Sequence, residues 1–326
     1  MSTPALKGPA WVTVRQYRRT LWVAGALAVL AFAVIGGLRI WVATVPDTYV
    51  LNGETFPTYD HSHSLLRLAV EELGKGLIIL PLLVGALAAG PLVAREYETG
   101  TYQLSLTQSV SPAVWLRSKL LTATAAAVLT AGALMAVHWL GWIRITGGWT
   151  VSRYSPGTYL ATGVALFAHL LAAVAVGALL GLLIRRTLVA MAATGLVLGV
   201  VLLVLGALRW SFLPVRTVTA PLGGDITPPD NGLMMDWGLQ TSSGARFDQS
   251  VCWQEVNATV GMSEDPSLME KAQDQCLARH DVTAQYLDYH PFSHFWPTQL
   301  IETGIVLALA ALAAFAAFRV LRARHP

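Results

Sequence analysis

The chain has 326 residues, 54% of them hydrophobic and only 13% charged, where a soluble domain carries about 25% charged residues. That composition belongs in a bilayer, and a formal net charge of +3 without a basic stripe interleaved with aromatics argues against nucleic acid as a partner. Both cysteines, Cys252 and Cys276, fall in one long hydrophilic segment, which argues against a metal cluster and allows a single disulfide.

Residues 1–20 are short and basic. Arg15, Arg18 and Arg19 lie on one side of a helical pattern and Trp11, Val14 and Tyr17 on the other, as in a helix resting in the headgroup layer; the alternative is a tail whose arginines only set orientation. Leu21 to Leu38 is long enough to cross about 30 Å of hydrocarbon and lacks the small-residue cleavage site of a signal peptide. Residues 44–72 read as a polar loop. Leu73 to Val93 is a second span, interrupted by Pro81 and by Gly90-Pro91, with Glu71 and Lys75 at i,i+4 spacing on its outer end.

A polar stretch follows, from Arg95 through Pro112 to Trp115, Arg117 and Lys119, and leads into a third span, Leu120 to Ile143. It reads either as a docking loop for a protein partner or as a plain solvated connection. From Thr158 to Leu208 the chain is apolar except for Arg185-Arg186. Two arginines at a bilayer centre cost about 5–7 kcal/mol, so the run turns there. It becomes a fourth span ending at Ile184 and a fifth starting at Thr187.

Residues 209–297 change character, with Pro228-Pro229, Gly223-Gly224, many acids and both cysteines, and read as a small domain outside the bilayer. Asp265-Pro266 has the pattern of a cap and first turn for a helix running toward Cys276. The last span, Thr298 to Phe318, follows the aromatic pair Phe295-Trp296 and ends in Arg319, Arg322 and Arg324. The expected fold is therefore an all-α membrane protein with six transmembrane helices and an extracytoplasmic insert between the fifth and sixth. Segment by segment this gives an amphipathic helix over 1–20, five spans over 21–208 with a cytoplasmic loop at 94–119, the insert over 209–297, and the last span with its basic tail over 298–326.

Charge fixes the orientation. With both termini in the cytoplasm, the inner side holds Lys7, Arg15, Arg18, Arg19, Arg95, Arg117, Lys119, Arg185, Arg186, Arg319, Arg322 and Arg324, twelve of the 22 basic residues on the smaller part of the chain. Among the acids only Glu96 and Glu98 lie there. The insert then faces an oxidising compartment, where a disulfide persists.

Candidate chemistry is sparse. No GxxxxGK[ST], HExxH or GxSxG pattern occurs, so the chain is expected not to be an enzyme and to draw energy from elsewhere. His138 and His169 lie within spans, about five and about eleven residues from the outer ends, a mismatch of roughly 9 Å. They are either haem-binding residues of a membrane redox subunit or polar histidines bonded between helices. Glu302 is an acid inside an apolar span, a position that invites a functional reading, although it can also snorkel or bond a neighbouring helix. His290 and His294 have i,i+4 spacing, but Pro291 argues against a regular helix through both, and no metal site is assigned. A receptor-like scaffold that binds partners through its external domain is a further alternative.

Two stretches carry a family resemblance. Gly90-Pro91-Leu92-Val93-Ala94-Arg95-Glu96, Glu98-Thr99-Gly100-Thr101, Thr107-Gln108-Ser109-Val110, Trp115 and Lys119 form one; Phe295-Trp296-Pro297-Thr298-Gln299-Leu300-Ile301-Glu302 forms the other. Together they resemble the type-2 ABC exporter permeases of actinobacteria. The resemblance implies a plasma-membrane, multi-pass subunit that works with a second permease subunit, an identical copy before a different one, and with lipid around it. It also implies a separate ATP-binding cassette subunit that carries ATP-Mg, this chain holding no cofactor of its own. A coupling helix within Gln103 to Trp115 would dock on that ATPase, with Arg95, Glu96, Gly100 and Thr101 shaping the junction and Gln108, Ser109, Val110 and Ser111 near the contact. The insert is longer than the re-entrant segment of the simplest members, and the cargo, whether small molecule, peptide or lipid, is not specified.

Overall fold

The computed structural model describes residues 14–15, 17–46, 48–51, 53–57, 61–102, 111–145, 152–229, 232–261 and 266–324. The chain divides into two compact units, one formed by Met1–Arg209 with Gln299–Pro326 and the other by Trp210–Thr298. Among the described residues six helices are long and apolar enough to cross a membrane: Arg18–Ala43, His61–Glu98, Pro112–Ile145, Ala165–Ile184, Thr187–Ser211 and Phe292–Arg324. Leu129, Leu188 and Leu203 on these helices are each more than 70% exposed. Such faces need hydrocarbon as their solvent, since a soluble protein would bury them.

In the first unit α1 (Arg18–Ala43) leads into a short hairpin of β1 (Thr48–Leu51) and β2 (Glu54–Pro57), turned at Gly53 with φ +86. Helix α2 (His61–Leu83) starts twelve residues earlier than hydropathy suggests. Its first turns are helical because Ser62, Leu66, Val70, Gly74, Leu77 and Pro81 keep a buried stripe at helical spacing. The polar residues between them pair along the exposed side, Arg67 with Glu71 at 2.9 Å and Lys75 with Glu72 at 2.5 Å. The expected partner of Lys75, Glu71, is thus taken by Arg67.

Helix α2 continues without a break through a π-helical turn, Val84–Ala89, into α3 (Gly90–Glu98). The wide turn, in which the Gly90 amide donates to the Gly85 carbonyl, accommodates Pro91, whose ring has no N–H to give. After α4 (Pro112–Ile145), the short α5 (Pro156–Thr162) is buried along nearly its whole length, and only beyond Gly163-Val164 does the fourth span, α6 (Ala165–Ile184), begin. The expected start at Thr158 falls inside α5. The fifth span, α7 (Thr187–Leu208), has the bounds read from the sequence. Spans two and four touch backbone to backbone: a Cβ on Gly177 would lie 2.6 Å from the Ala89 Cβ, and one on Gly181 would lie 2.9 Å from the Gly90 carbonyl oxygen. Glycines four apart on one helix face are what permits that approach in a membrane.

The second unit corrects the all-α expectation. It holds a four-stranded antiparallel sheet in the order β3-β6-β4-β5, from β3 (Arg216–Pro221), β4 (Leu233–Thr241), β5 (Arg246–Phe247) and β6 (Val282–His290). Two helices accompany it, α8 (Gln249–Val260), capped by the Asp248 carboxylate, and α9 (Pro266–Arg279). A disulfide joins Cys252 on α8 to Cys276 on α9, and the pair is buried among Leu239, Phe247, Leu277 and Val282. In β4 the pairing with β6 shifts register between Met234 and Asp236 and between Gln240 and Thr241, which breaks the regular alternation a strand shows in sequence. Helix α9 does open at Pro266, while its expected cap, Asp265, lies outside the described residues. The chain returns to the first unit along α10 (Phe295–Arg324). Of the amphipathic segment expected at 1–20, most lies outside the described residues, as do 103–110 of the expected coupling helix.

Candidate functional site

At one end of the first unit the tips of α3, α4, α6, α7 and α10 gather. Leu92 and Val93, Trp115 and Leu116, Ala178 and Leu182, and Ala317 and Leu321 form one buried cluster. Within it the Lys119 ammonium sits 2.6 Å from Glu96 Oε1, and the Trp115 indole N–H donates to Glu96 Oε2 at 3.1 Å. Lys119 also donates to the Leu92 carbonyl at 3.3 Å. Glu96 and Lys119 are both buried, so this carboxylate binds inside the chain, clamping the two helices that flank the loop. A buried pair of this kind is costly to break, because removal of one partner strands the other charge.

Glu98 is exposed and caps another helix: its Oε2 accepts the Thr187 amide at 2.9 Å, and the Thr187 hydroxyl as well. A carboxylate against the free N–H groups of α7 is favoured by both hydrogen bonding and the helix dipole. Arg185, in the left-handed region at φ 56, lies over the Tyr97 ring at 5.3 Å, and Arg324 donates to the Leu182 carbonyl. Gly100, at φ +69, follows the C-cap of α3, and its amide donates to the Tyr97 carbonyl. Ser111 precedes Pro112 and accepts the Val114 amide on its hydroxyl at 3.4 Å, a cap and first-turn proline opening α4. Of the eight expected docking residues, Arg95, Gly100, Thr101 and Ser111 are exposed on this end, Glu96 is buried beneath it, and Gln108, Ser109 and Val110 lie outside the described residues.

The opposite end of the same unit holds a buried polar cluster. Glu302 Oε2 accepts Arg209 Nε at 2.8 Å and its Oε1 accepts Arg209 Nη2 at 3.0 Å, a bidentate pair, while His169 Nε2 lies 2.9 Å from Oε1. The guanidinium rests over the Tyr159 ring at 3.8 Å. One turn earlier on α10, Gln299 mends the break between α5 and α6: its Oε1 accepts the Ala165 amide at 3.0 Å, and its Nε2 donates to the Tyr159 carbonyl at 2.7 Å. Those are the backbone groups that a helix interrupted at Gly163 leaves without intrahelical partners.

His169 is thus bonded between helices through Glu302. His138, read either as a second haem ligand or as a histidine bonded between helices, is elsewhere: both its ring nitrogens lack a hydrogen-bond partner among the described residues, and it lies beside Gly74 where α5 crosses α2. Arg209, Gln299, Tyr159 and the role of Lys119 were not legible beforehand. Arg209 and Lys119 each sit at the end of an apolar run and look like ordinary flanking charges; the signal available was that Glu302 needs a buried cation, which the adjoining span end can supply.

Residues 24–209, more than half of the chain, match a protein family described as ABC-2 membrane transporter related. No curated protein matches the chain.

Proposed function

Because the chain belongs to the ABC-2 membrane transporter related family, we propose that it is the membrane-spanning permease subunit of an ATP-binding cassette exporter. In this reading it binds no nucleotide itself and couples to a separate ATPase carrying ATP-Mg. The observation that carries the reading is the family match over residues 24–209, which take in five of the six candidate spans of a unit whose helix tips are tied together at one end. That end would be the cytoplasmic docking face, with Arg95, Gly100, Thr101 and the 103–111 stretch meeting the ATPase, both termini on the same side, and Trp210–Thr298 outside the cell.

The mechanism follows from how the ends are built. The Glu96–Lys119 clamp ties α3 to α4, so that these two helices move as one body. His61–Glu98 is one continuous helix, so a displacement at the docking end reaches the far end along a stiff rod, with the π-helical turn as the place where it can bend. Contacts through Gly177 and Gly181 let this rod slide against α6 without side-chain ratcheting. At the far end Glu302 and Gln299 hold α10 against α5, α6 and Arg209, which closes the outer side. Export requires that the cargo bind the inward-open and outward-open states with different affinity. Two copies would pair in lipid to complete the pathway.

The test is purification of the chain from native membranes, followed by reconstitution with the ATPase that accompanies it. An ATPase whose turnover depends on this subunit, and a Thr101→Trp substitution that releases it while leaving the permease folded, are expected. An intact permease that brings no ATPase and supports no ATP-driven transport in vesicles overturns the reading.

A further inference from the structure

The second unit contains a histidine pair that the proposed transport mechanism does not use. His290 is the last residue of β6 and is almost fully buried, and Pro291 ends the strand and starts a 3-10 turn, Phe292–His294, that brings His294 back over it. The spacing that argued against one helix through both residues therefore still brings their rings together. His290 Nδ1 and His294 Nδ1 are 3.1 Å apart, and His290 Nε2 is 2.9 Å from the Trp210 carbonyl oxygen. That carbonyl can only accept, so His290 Nε2 carries the hydrogen and, in the neutral ring, Nδ1 presents a lone pair to His294. A backbone carbonyl fixing the far nitrogen of an imidazole is the arrangement that orients metal-ligating histidines.

We propose that His290 and His294 chelate one borderline divalent transition-metal ion, of which Zn2+ is the representative, through their two Nδ1 atoms. With metal–nitrogen bonds of 2.0–2.1 Å, a 3.1 Å separation gives an angle at the metal of about 98°, between octahedral and tetrahedral values. Imidazole donors suit Zn2+, Ni2+ and Cu2+ and exclude Mg2+ and Ca2+. No proton is released: as the ion takes the place of the hydrogen between the rings, that hydrogen moves to His294 Nε2, on the more exposed ring, and water completes the shell. Trp210 opens this unit and His294 stands near its end, so the ion joins the segments through which the chain enters and leaves it. Another group, Glu255, Cys276 and His280, has ligand atoms within 4.8 Å of one another, but Cys276 is in the disulfide and offers no thiolate. Arg216 acts electrostatically on His294 and sets a limit on affinity.

Zn2+ titration of the full-length protein in detergent, after chelator treatment and with the disulfide intact, tests this. Saturable uptake of one ion per chain, with a rise in the unfolding temperature, is expected. His294→Gln should weaken binding by about tenfold or more while leaving the metal-free unfolding temperature unchanged, and His280→Gln should leave binding unaltered. Absence of saturable uptake, undiminished binding by His294→Gln, or loss of binding in His280→Gln overturns the proposal.

Discussion

Glu302 has no exposed surface, and Arg209 and His169 between them occupy both of its oxygens. Removing one member of such a set costs far more than removing the set, since the survivor is left charged and dry. Glu302→Ala should therefore lower unfolding stability in detergent by about 3–5 kcal/mol, and Glu302→Ala with Arg209→Met should recover most of that loss; equal losses in single and double variants would show that Arg209 is not its counter-ion. The hydrogen bond from His280 holds Glu255 below its ordinary value of 4.5, with Arg279 helping against partial burial. A lowered carboxyl stabilises above its ordinary value and loses that contribution as pH falls through the folded value. Unfolding of the second unit, followed by hydrogen exchange, should become easier below about pH 4.5, and Glu255→Gln should flatten that dependence. Glu302 could be singled out in the sequence because an acid in an apolar run is rare. His169 could be singled out as well, but Arg209 could not, because an arginine at a span end is ordinary on its own, and neither could Gln299, a glutamine near an aromatic anchor.

At the level of elements, the six spans were legible because a bilayer charges so much for exposed backbone and charge that length and hydropathy suffice. The interruption before α6 was not, because α5 carries no charge and no proline marks its end, so nothing local separates it from the helix it precedes. What ends it is tertiary: a Cβ on Gly163 would fall 2.1 Å from the Gln299 amide, so glycine leaves room for the side chain that satisfies the broken turn. Gly163→Ala should cost about 1–3 kcal/mol through the clash, and Gln299→Ala about 1–3 kcal/mol through two unsatisfied backbone groups. In the double variant the clash has vanished, so the combined loss should fall clearly short of the sum. Strict additivity in thermal unfolding would mean that Gln299 does not fill this gap. The sheet of the second unit was equally hidden: β4 carries Gly238 and is register-shifted against β6, β3 ends in Pro221, and β5 has only two residues.

For the whole molecule, the direction of each span follows from which tips are tied together. Glu98 caps the start of α7 and Arg324 bonds the end of α6, so Arg95, Arg185, Arg186, Arg322 and Arg324 share one end of the helical unit. Since α7 leaves that end and α10 returns to it, both junctions with Trp210–Thr298 are at the other end. Basic residues beside short loops are retained in the cytoplasm, so in the proposed reading Thr101 would lie on the cytosolic side and Ser243 on the outer side. Both positions are exposed. The only two cysteines are bonded to each other, so the unmodified chain is silent to thiol reagents. With a membrane-impermeant maleimide, Ser243→Cys should react in intact cells and Thr101→Cys only in inside-out vesicles. The opposite pattern would reverse the docking face and remove the basis for coupling to a cytosolic ATPase. Reaction of both from one side would mean an odd number of crossings between positions 101 and 243 does not occur, and that one of the three helices between them, α4, α6 or α7, fails to span.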